Sequence, residues 1–112
     1  MASRNTGIAE PIVSEFANDP DMQDLVVAFI SVIPDRIARL RRAFDTADCE
    51  AVKRLAHQMR GAAGGYGFPS ISAAAALLEK AAATSESLAA LEAAIHELCD
   101  LCHRATAAAP EV

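Results

Sequence analysis

Residues 52–66 have the sequence Val52-Lys-Arg-Leu-Ala-His-Gln-Met-Arg-Gly-Ala-Ala-Gly-Gly-Tyr66, in which the apolar residues recur at helical spacing. At about 100° of rotation per residue, these fall within one sector about 100° wide on a helix: Val52, Leu55, Met59, Ala62, Ala63 and Tyr66. His57 points almost opposite to the centre of this sector. The spacing therefore predicts an amphipathic helix that buries its apolar face and presents an imidazole on the other.

The polar face of this predicted helix carries little side-chain bulk. Arg60, Gly61 and Gly64 fall within about 60° of His57 around the helix axis. Glycine on an exposed helix face costs about 1 kcal/mol relative to alanine, so two glycines near one histidine need a reason. A nucleophile with a cation beside it and bare backbone around it indicates that another macromolecule approaches the imidazole.

The composition of the 112-residue chain favours one helical domain. Hydrophobic residues make up 53% of the chain but aromatic residues only 4%. Alanine dominates the apolar residues and long β-branched runs are missing, which favours helices over sheets. No window approaches the roughly 18 uninterrupted apolar residues of a membrane span, so no contact with a membrane is expected.

The cysteines and the first residues bear on the compartment. Residues 1–10 are polar and lack the apolar core of a secretory signal. The three cysteines are odd in number and show no disulfide framework: Cys49, Cys99 and Cys102. Both features predict a cytoplasmic protein with free thiols.

Local signals predict where the helices begin and end. A capping side chain or a proline marks each boundary: Asp19-Pro20, Pro34, Asp48, Pro69, and Thr84 or Ser85. Pro34 is expected to break or kink the first helical run, because proline lacks the N–H that a helix interior uses. In the last stretch the apolar residues alternate by three and four, as in a bundle seam: Leu88, Leu91, Ile95, Leu98 and Cys102.

These elements predict an all-α fold, an antiparallel four-helix bundle with a short extra N-terminal helix. His57 is expected midway along the third helix and exposed. Residues 1–18 are expected to form a loose N-terminal arm, residues 19–106 the bundle, and residues 107–112 a frayed C-terminus. The candidate contacts of the arm with the bundle are apolar: Ile12, Val13 and Phe16.

The charges are unevenly distributed. Seven of the ten basic residues lie between positions 36 and 60 with only three acidic residues, so this segment carries +4. The chain as a whole carries −5, which leaves −9 for the remainder. A locally basic surface on an acidic protein suits an acidic protein partner better than nucleic acid, which usually requires a basic domain.

The residues from His57 to Glu79 resemble the histidine phosphotransfer (HPt) domain family. The family pattern is a histidine, a basic residue three positions later, glycines four and ten positions later, a leucine-type residue and a Leu-Glu pair. The matching residues here are His57, Arg60, Gly61, Gly67, Ile71, Leu78 and Glu79. Arg60 stands where the family more often has lysine, and Ile71 where it usually has leucine. Both replacements keep the side-chain chemistry, a cation in the first case and an aliphatic group in the second.

The resemblance implies a phosphocarrier rather than an enzyme, one that takes a phosphoryl group from a receiver-domain aspartate and passes it to another. His57 would be the phosphoacceptor and Arg60 would stabilise the phosphate. From their place on the bare face, Gly61 and Gly64 are expected to clear space for docking of such a partner. The partners would be receiver domains of response regulators or hybrid histidine kinases. Neither cofactor nor metal is expected, and one exposed site favours a monomer.

Other interpretations remain open at this point. A helical adaptor could bind a receiver or kinase domain through the same face without carrying phosphate. His96, Cys99 and His103 share a stripe of the last helix and could form a metal site, although no fourth ligand is evident. Structural roles are predicted for Leu78 in the core, for Glu79 at the bundle edge and for Tyr66 in packing.

Overall fold

The computed structural model describes residues 10–84 and 87–107, and these form a bundle of four helices. The helices are α1 (Pro20–Asp45), α2 (Cys49–Gly65), α3 (Pro69–Ala83) and α4 (Leu88–His103). Each helix packs against the next in the chain, and α1 also contacts α4. The predicted all-α bundle is therefore confirmed. No helix in the described part of the chain is both long and apolar enough to cross a bilayer.

Two of the predicted N-caps are in place. The Asp19 carboxylate accepts the Asp21 N–H at 2.9 Å, and the Asp48 carboxylate accepts the Ala51 N–H at 3.1 Å. Pro69 opens α3, where the N–H that proline lacks has no helical partner to lose.

The predicted cap of the last helix is wrong. Ser87 caps α4 by accepting the Ala90 N–H at 3.1 Å. Thr84 instead ends α3, and its hydroxyl donates back to the Lys80 carbonyl. Ser85 lies outside the described residues. Thr84, Ser85 and Ser87 are all good capping residues, so composition could not choose among them.

Pro34 was expected to break or kink the first helical run, and it does not break it: α1 continues through this residue as one helix. Proline removes one backbone hydrogen bond, at a cost of about 3 kcal/mol in a helix interior. Pro34 is exposed, however, and a single buried stripe runs past it on the core side: Phe29, Ile33, Ile37 and Leu40. Burial of this stripe against the other helices stabilises α1 on both sides of Pro34. The predicted short extra helix is therefore part of α1, and His57 lies on the second of four described helices rather than the third.

The core is made by the facing sides of all four helices and by one loop residue. Phe68, in the turn between α2 and α3, is fully buried beside Phe29, with ring centroids 5.9 Å apart. The largest fully buried side chains come from every helix and that turn: Val26, Val52, Phe68, Ile71, Leu78, Leu91, Ile95 and Leu98. Leu78 therefore occupies the core position predicted for it.

A short strand pair, which no sequence pattern predicted, ties the two ends of the described chain together. Strand β1 (Ile12–Val13) pairs in parallel with β2 (Ala105–Thr106), and Ile12 donates its N–H to the Arg104 carbonyl at 2.7 Å. The strands are two residues long and half-buried, so the core remains helical.

The described part of the N-terminal arm lies against the bundle. Ile12 and Phe16 pack on the core, while Val13 is half-buried in the strand pair. Ser14 is 4% exposed and donates its hydroxyl to the Tyr66 carbonyl at 2.7 Å. The arm, expected to be loose, is thus held by backbone hydrogen bonds to the far end of the chain and to the α2–α3 turn. Residues 1–9 and 108–112 of the expected arm and tail lie outside the described residues.

Candidate functional site

His57 lies at the middle of α2, and its side chain is 60% exposed. Its neighbours Ala56 and Met59 are buried in the core. The apolar face of α2 therefore fixes the backbone that carries the imidazole, while the ring itself stands in solvent, as the helical spacing predicts.

Glu79 faces the imidazole from the neighbouring helix α3. Its Oε2 atom lies 2.9 Å from His57 Nδ1, and its side chain is 23% exposed. The preceding residue, Leu78, is fully buried, so packing of α3 sets the position of the carboxylate. From the sequence, Glu79 was predicted only to lie at the bundle edge, because 22 positions and a turn separate it from His57. Its place in the Leu-Glu pair was the available signal.

Arg60 completes the cluster one turn after His57. Its Nη2 atom lies 3.1 Å from His57 Nδ1, and its Nε atom lies 3.4 Å from Glu79 Oε1. The Arg60 side chain is 45% exposed, so its guanidinium is accessible to a ligand on the ring.

The two contacts at Nδ1 belong to different tautomers. With a proton on Nδ1, the ring donates to Glu79, and Nε2 carries the lone pair. With the proton on Nε2, Nδ1 accepts from Arg60 instead. The carboxylate contact is the shorter one and is charge-assisted, which favours the tautomer whose free nitrogen is Nε2. Among the residues that the structure describes, Nε2 has no hydrogen-bond partner.

Both glycines of the predicted bare face, Gly61 and Gly64, are exposed beside His57. A β-carbon added at Gly61 would meet no atom of another segment within 4 Å. One added at Gly64 would come 3.4 Å from the Ser72 hydroxyl on α3. That hydroxyl donates to the Arg60 carbonyl at 2.8 Å and so joins α3 to the α2 backbone at this level. Ser72 was not singled out from the sequence, because nothing local links it to Arg60.

The three residues of α4 considered as metal ligands, His96, Cys99 and His103, do not share one environment. Cys99 is 3% exposed, whereas His96 and His103 are exposed. Burial raises the pKa of the Cys99 thiol. Burial also raises the pKa of the Cys102 thiol, to about 12, with a smaller contribution from the neighbouring Cys99. Within residues 10–84 and 87–107, no three histidine, cysteine or acidic side chains are grouped as metal ligands would be. Cys49 is exposed at the start of α2.

Tyr66 has the packing role predicted for it. Its ring is half-buried at the end of α2 and stacks on Phe29, with centroids 5.1 Å apart. Its hydroxyl takes no part in the cluster around His57.

A model of the Hpt domain family matches residues 24–108, which is more than half of the chain. The matched range contains α2, α3 and α4 and most of α1, together with His57, Arg60 and Glu79. No curated protein and no solved structure matches the chain.

Proposed function

The chain belongs to the Hpt domain family, whose members are histidine phosphotransfer modules of two-component signalling, and on that premise we propose that it relays a phosphoryl group between receiver-domain aspartates through His57. Hpt domains are phosphocarriers that interact with receiver domains and kinases. The observation that carries the assignment to His57 is its exposed imidazole, with Nδ1 against Glu79 and Nε2 free.

In the proposed transfer, Nε2 is the nucleophile. Its lone pair attacks the phosphorus of an aspartyl phosphate on the receiver, a P–N bond forms, and the P–O bond breaks as the aspartate leaves as a carboxylate. The ring becomes positively charged as it loses the lone pair. Glu79 stabilises that charge through the Nδ1–H that it accepts. The same steps in reverse deliver the group to a second receiver aspartate.

Arg60 is proposed to stabilise the phosphoryl group. It lies one helical turn from His57, and its guanidinium can donate to two phosphoryl oxygens at once. Before transfer its Nε atom lies 3.4 Å from Glu79 Oε1, so the guanidinium is already in place beside the ring. Gly61 and Gly64 are proposed to leave room for the rim of the receiver's active site. We expect the protein to act as a cytoplasmic monomer.

Phosphorylation of the parent protein, His57→Gln, His96→Gln and His103→Gln tests the assignment. Each would be incubated with phosphoramidate and, separately, with a phosphorylated receiver domain, and the acid-labile, base-stable phosphate would be measured by ³¹P NMR. The parent and the two α4 variants should be labelled equally, and His57→Gln should not be labelled. His57→Gln should also unfold at the parent temperature, because an exposed side chain contributes little to stability.

Label retained by His57→Gln would show that another residue accepts the phosphate. A parent protein that binds the receiver but takes no phosphate from either donor would instead be a helical adaptor.

A further inference from the structure

A groove separates α1 from α2, next to the cluster around His57. It has two adjoining sections of about 320 Å³ and 400 Å³, which share Arg39, Leu55 and Gln58. Gln58 is the chain neighbour of His57, but none of the cluster residues His57, Arg60 and Glu79 lines either section. The groove is therefore a separate feature of the surface.

The groove is rich in arginine, and most of its positive charge has no counterpart. Four arginines line it: Arg36, Arg39, Arg42 and Arg54. Its two acidic residues are already engaged, since Asp35 pairs with Arg39 at 3.0 Å and Asp48 caps α2. Within the described part of the chain, no salt bridge reaches the other three arginines.

Arg36 gives a more direct sign of a missing acceptor. Its Nε atom is buried and has no hydrogen-bond partner among the described residues. A buried N–H of a charged group is costly when it is left unpaired, so native proteins usually supply it with an acceptor. Because the Arg36 side chain lines the groove, a carboxylate held there would supply this acceptor once the guanidinium turns toward it.

Apolar side chains line the same groove. In the section that contains Arg36 they are Val32, Leu40, Leu55 and Met59. Val32 is 43% exposed, which is high for a large aliphatic residue. Leu40 and Met59 already lie in the core, so an occupant of the groove would cover Val32 and the half-buried Leu55. An occupant that also pairs with the arginines must itself carry both apolar and acidic groups.

We propose that the α1–α2 groove binds an acidic, amphipathic segment of a partner protein. Charge complementarity selects this occupant, because the segment from 36 to 60 carries +4 in a chain whose net charge is −5. The acidic remainder of the chain opposes the long polyanion of nucleic acid but not a short acidic segment. The proposal does not depend on phosphate reaching His57, and a partner held in the groove would lie beside that residue.

The test titrates the ¹⁵N-labelled full chain with a short peptide of glutamate and leucine. The control peptide has glutamine in place of each glutamate. The glutamate peptide should give saturable amide shifts at Val32, Leu55 and Gln58, weakening as salt is raised. Arg36→Gln and Arg54→Gln should each raise the dissociation constant about tenfold, because each removes a charge-assisted hydrogen bond. Lys80→Gln removes an exposed positive charge on α3 outside the groove and should leave the dissociation constant unchanged.

Each other outcome would overturn the proposal. One such outcome is that the glutamine peptide shifts the groove amides as much as the glutamate peptide does. Another is that Lys80→Gln weakens peptide binding as much as the arginine variants do, and a third is that only an oligonucleotide shifts these amides. Concentration-dependent dimerisation abolished by Arg36→Gln would show that a second copy of this chain occupies the groove. Labelling of His57 by phosphoramidate should be the same in Arg36→Gln as in the parent, so a failure of the groove is distinguishable from a failure of phosphotransfer.

Discussion

Glu79 Oε2 lies 2.9 Å from His57 Nδ1, although the two residues belong to different helices. This contact decides which ring nitrogen is free, because an Nδ1 that donates to a carboxylate leaves the lone pair on Nε2. The orientation of the His57 imidazole thus depends on the packing of α3 against α2 as well as on α2 itself.

Removal of the Glu79 carboxylate should change the imidazole tautomer. In Glu79→Ala, Nδ1 keeps only the Arg60 contact, which requires a bare Nδ1 and places the proton on Nε2. The rate of phosphorylation by phosphoramidate should fall about 10- to 100-fold, the value of one hydrogen bond to a charged group. Side-chain ¹⁵N shifts of His57 measure the tautomer directly. Glu79→Gln, which can accept but carries no charge, should fall between Glu79→Ala and the parent; unchanged ¹⁵N shifts in Glu79→Ala would contradict this role.

Arg60 substitutions should act on the phosphorylated state. Arg60→Ala is expected to slow transfer or shorten the lifetime of the phosphohistidine about tenfold, since it removes a charged donor from the phosphoryl oxygens. Arg60→Lys should be milder, because it keeps the charge but loses the two-pronged geometry. Decay of the ³¹P signal gives the lifetime, and receiver titration checks that docking survives. Equal lifetimes in all three proteins would make Arg60 a bystander.

The exposed glycines should separate docking from stability. Gly61→Ala is expected to raise the free energy of unfolding by about 0.5–1 kcal/mol, because a β-carbon there meets open space. Gly64→Gln should keep or raise thermal stability, since its β-carbon would lie at ordinary contact distance from Ser72. The longer side chain should nevertheless block phosphorylation by a receiver while phosphoramidate still labels His57. Receiver-driven labelling of Gly64→Gln at the parent rate would show that this patch is not a docking surface.

An alanine substitution at Gly67, unlike one at Gly61, should lower the free energy of unfolding. The Gly67 φ of +87° is a conformation that side chains disfavour, and an added β-carbon would lie 2.6 Å from the Ser14 hydroxyl and 2.8 Å from the Glu15 nitrogen. Gly67→Ala should therefore lower the free energy of unfolding by about 1–3 kcal/mol and expose the arm to limited proteolysis. Gly65→Ala is the matched control, because its β-carbon meets nothing within 4 Å. If the two variants unfold at the same temperature, the contact between the arm and the turn contributes nothing to stability.

Local physics was enough to predict much of this fold. Asp19, Asp48 and Pro69 begin helices because capping and the missing proline N–H act within a few residues. The exposed position of His57 followed from helical rotation against the apolar face of its own segment.

Features that depend on residues distant in sequence could not be predicted in this way. Helix α1 continues through Pro34 because a buried stripe on both sides packs against other helices, which outweighs the local cost of proline. The backbone pairing of residues 12–14 with residues 104–106 leaves no pattern in side-chain identity.

The candidate site likewise combines features that local sequence predicts with contacts that only helix packing produces. Local sequence was enough to single out His57 as the proposed nucleophile, together with Arg60 and the bare face, since all three lie on one helix within two turns. Tertiary structure alone placed Glu79 against Nδ1 and Ser72 against the Arg60 carbonyl. Both contacts cross from α3 to α2, and the distance between two helices is set by the packing of their buried faces rather than by the polar residues that meet across them.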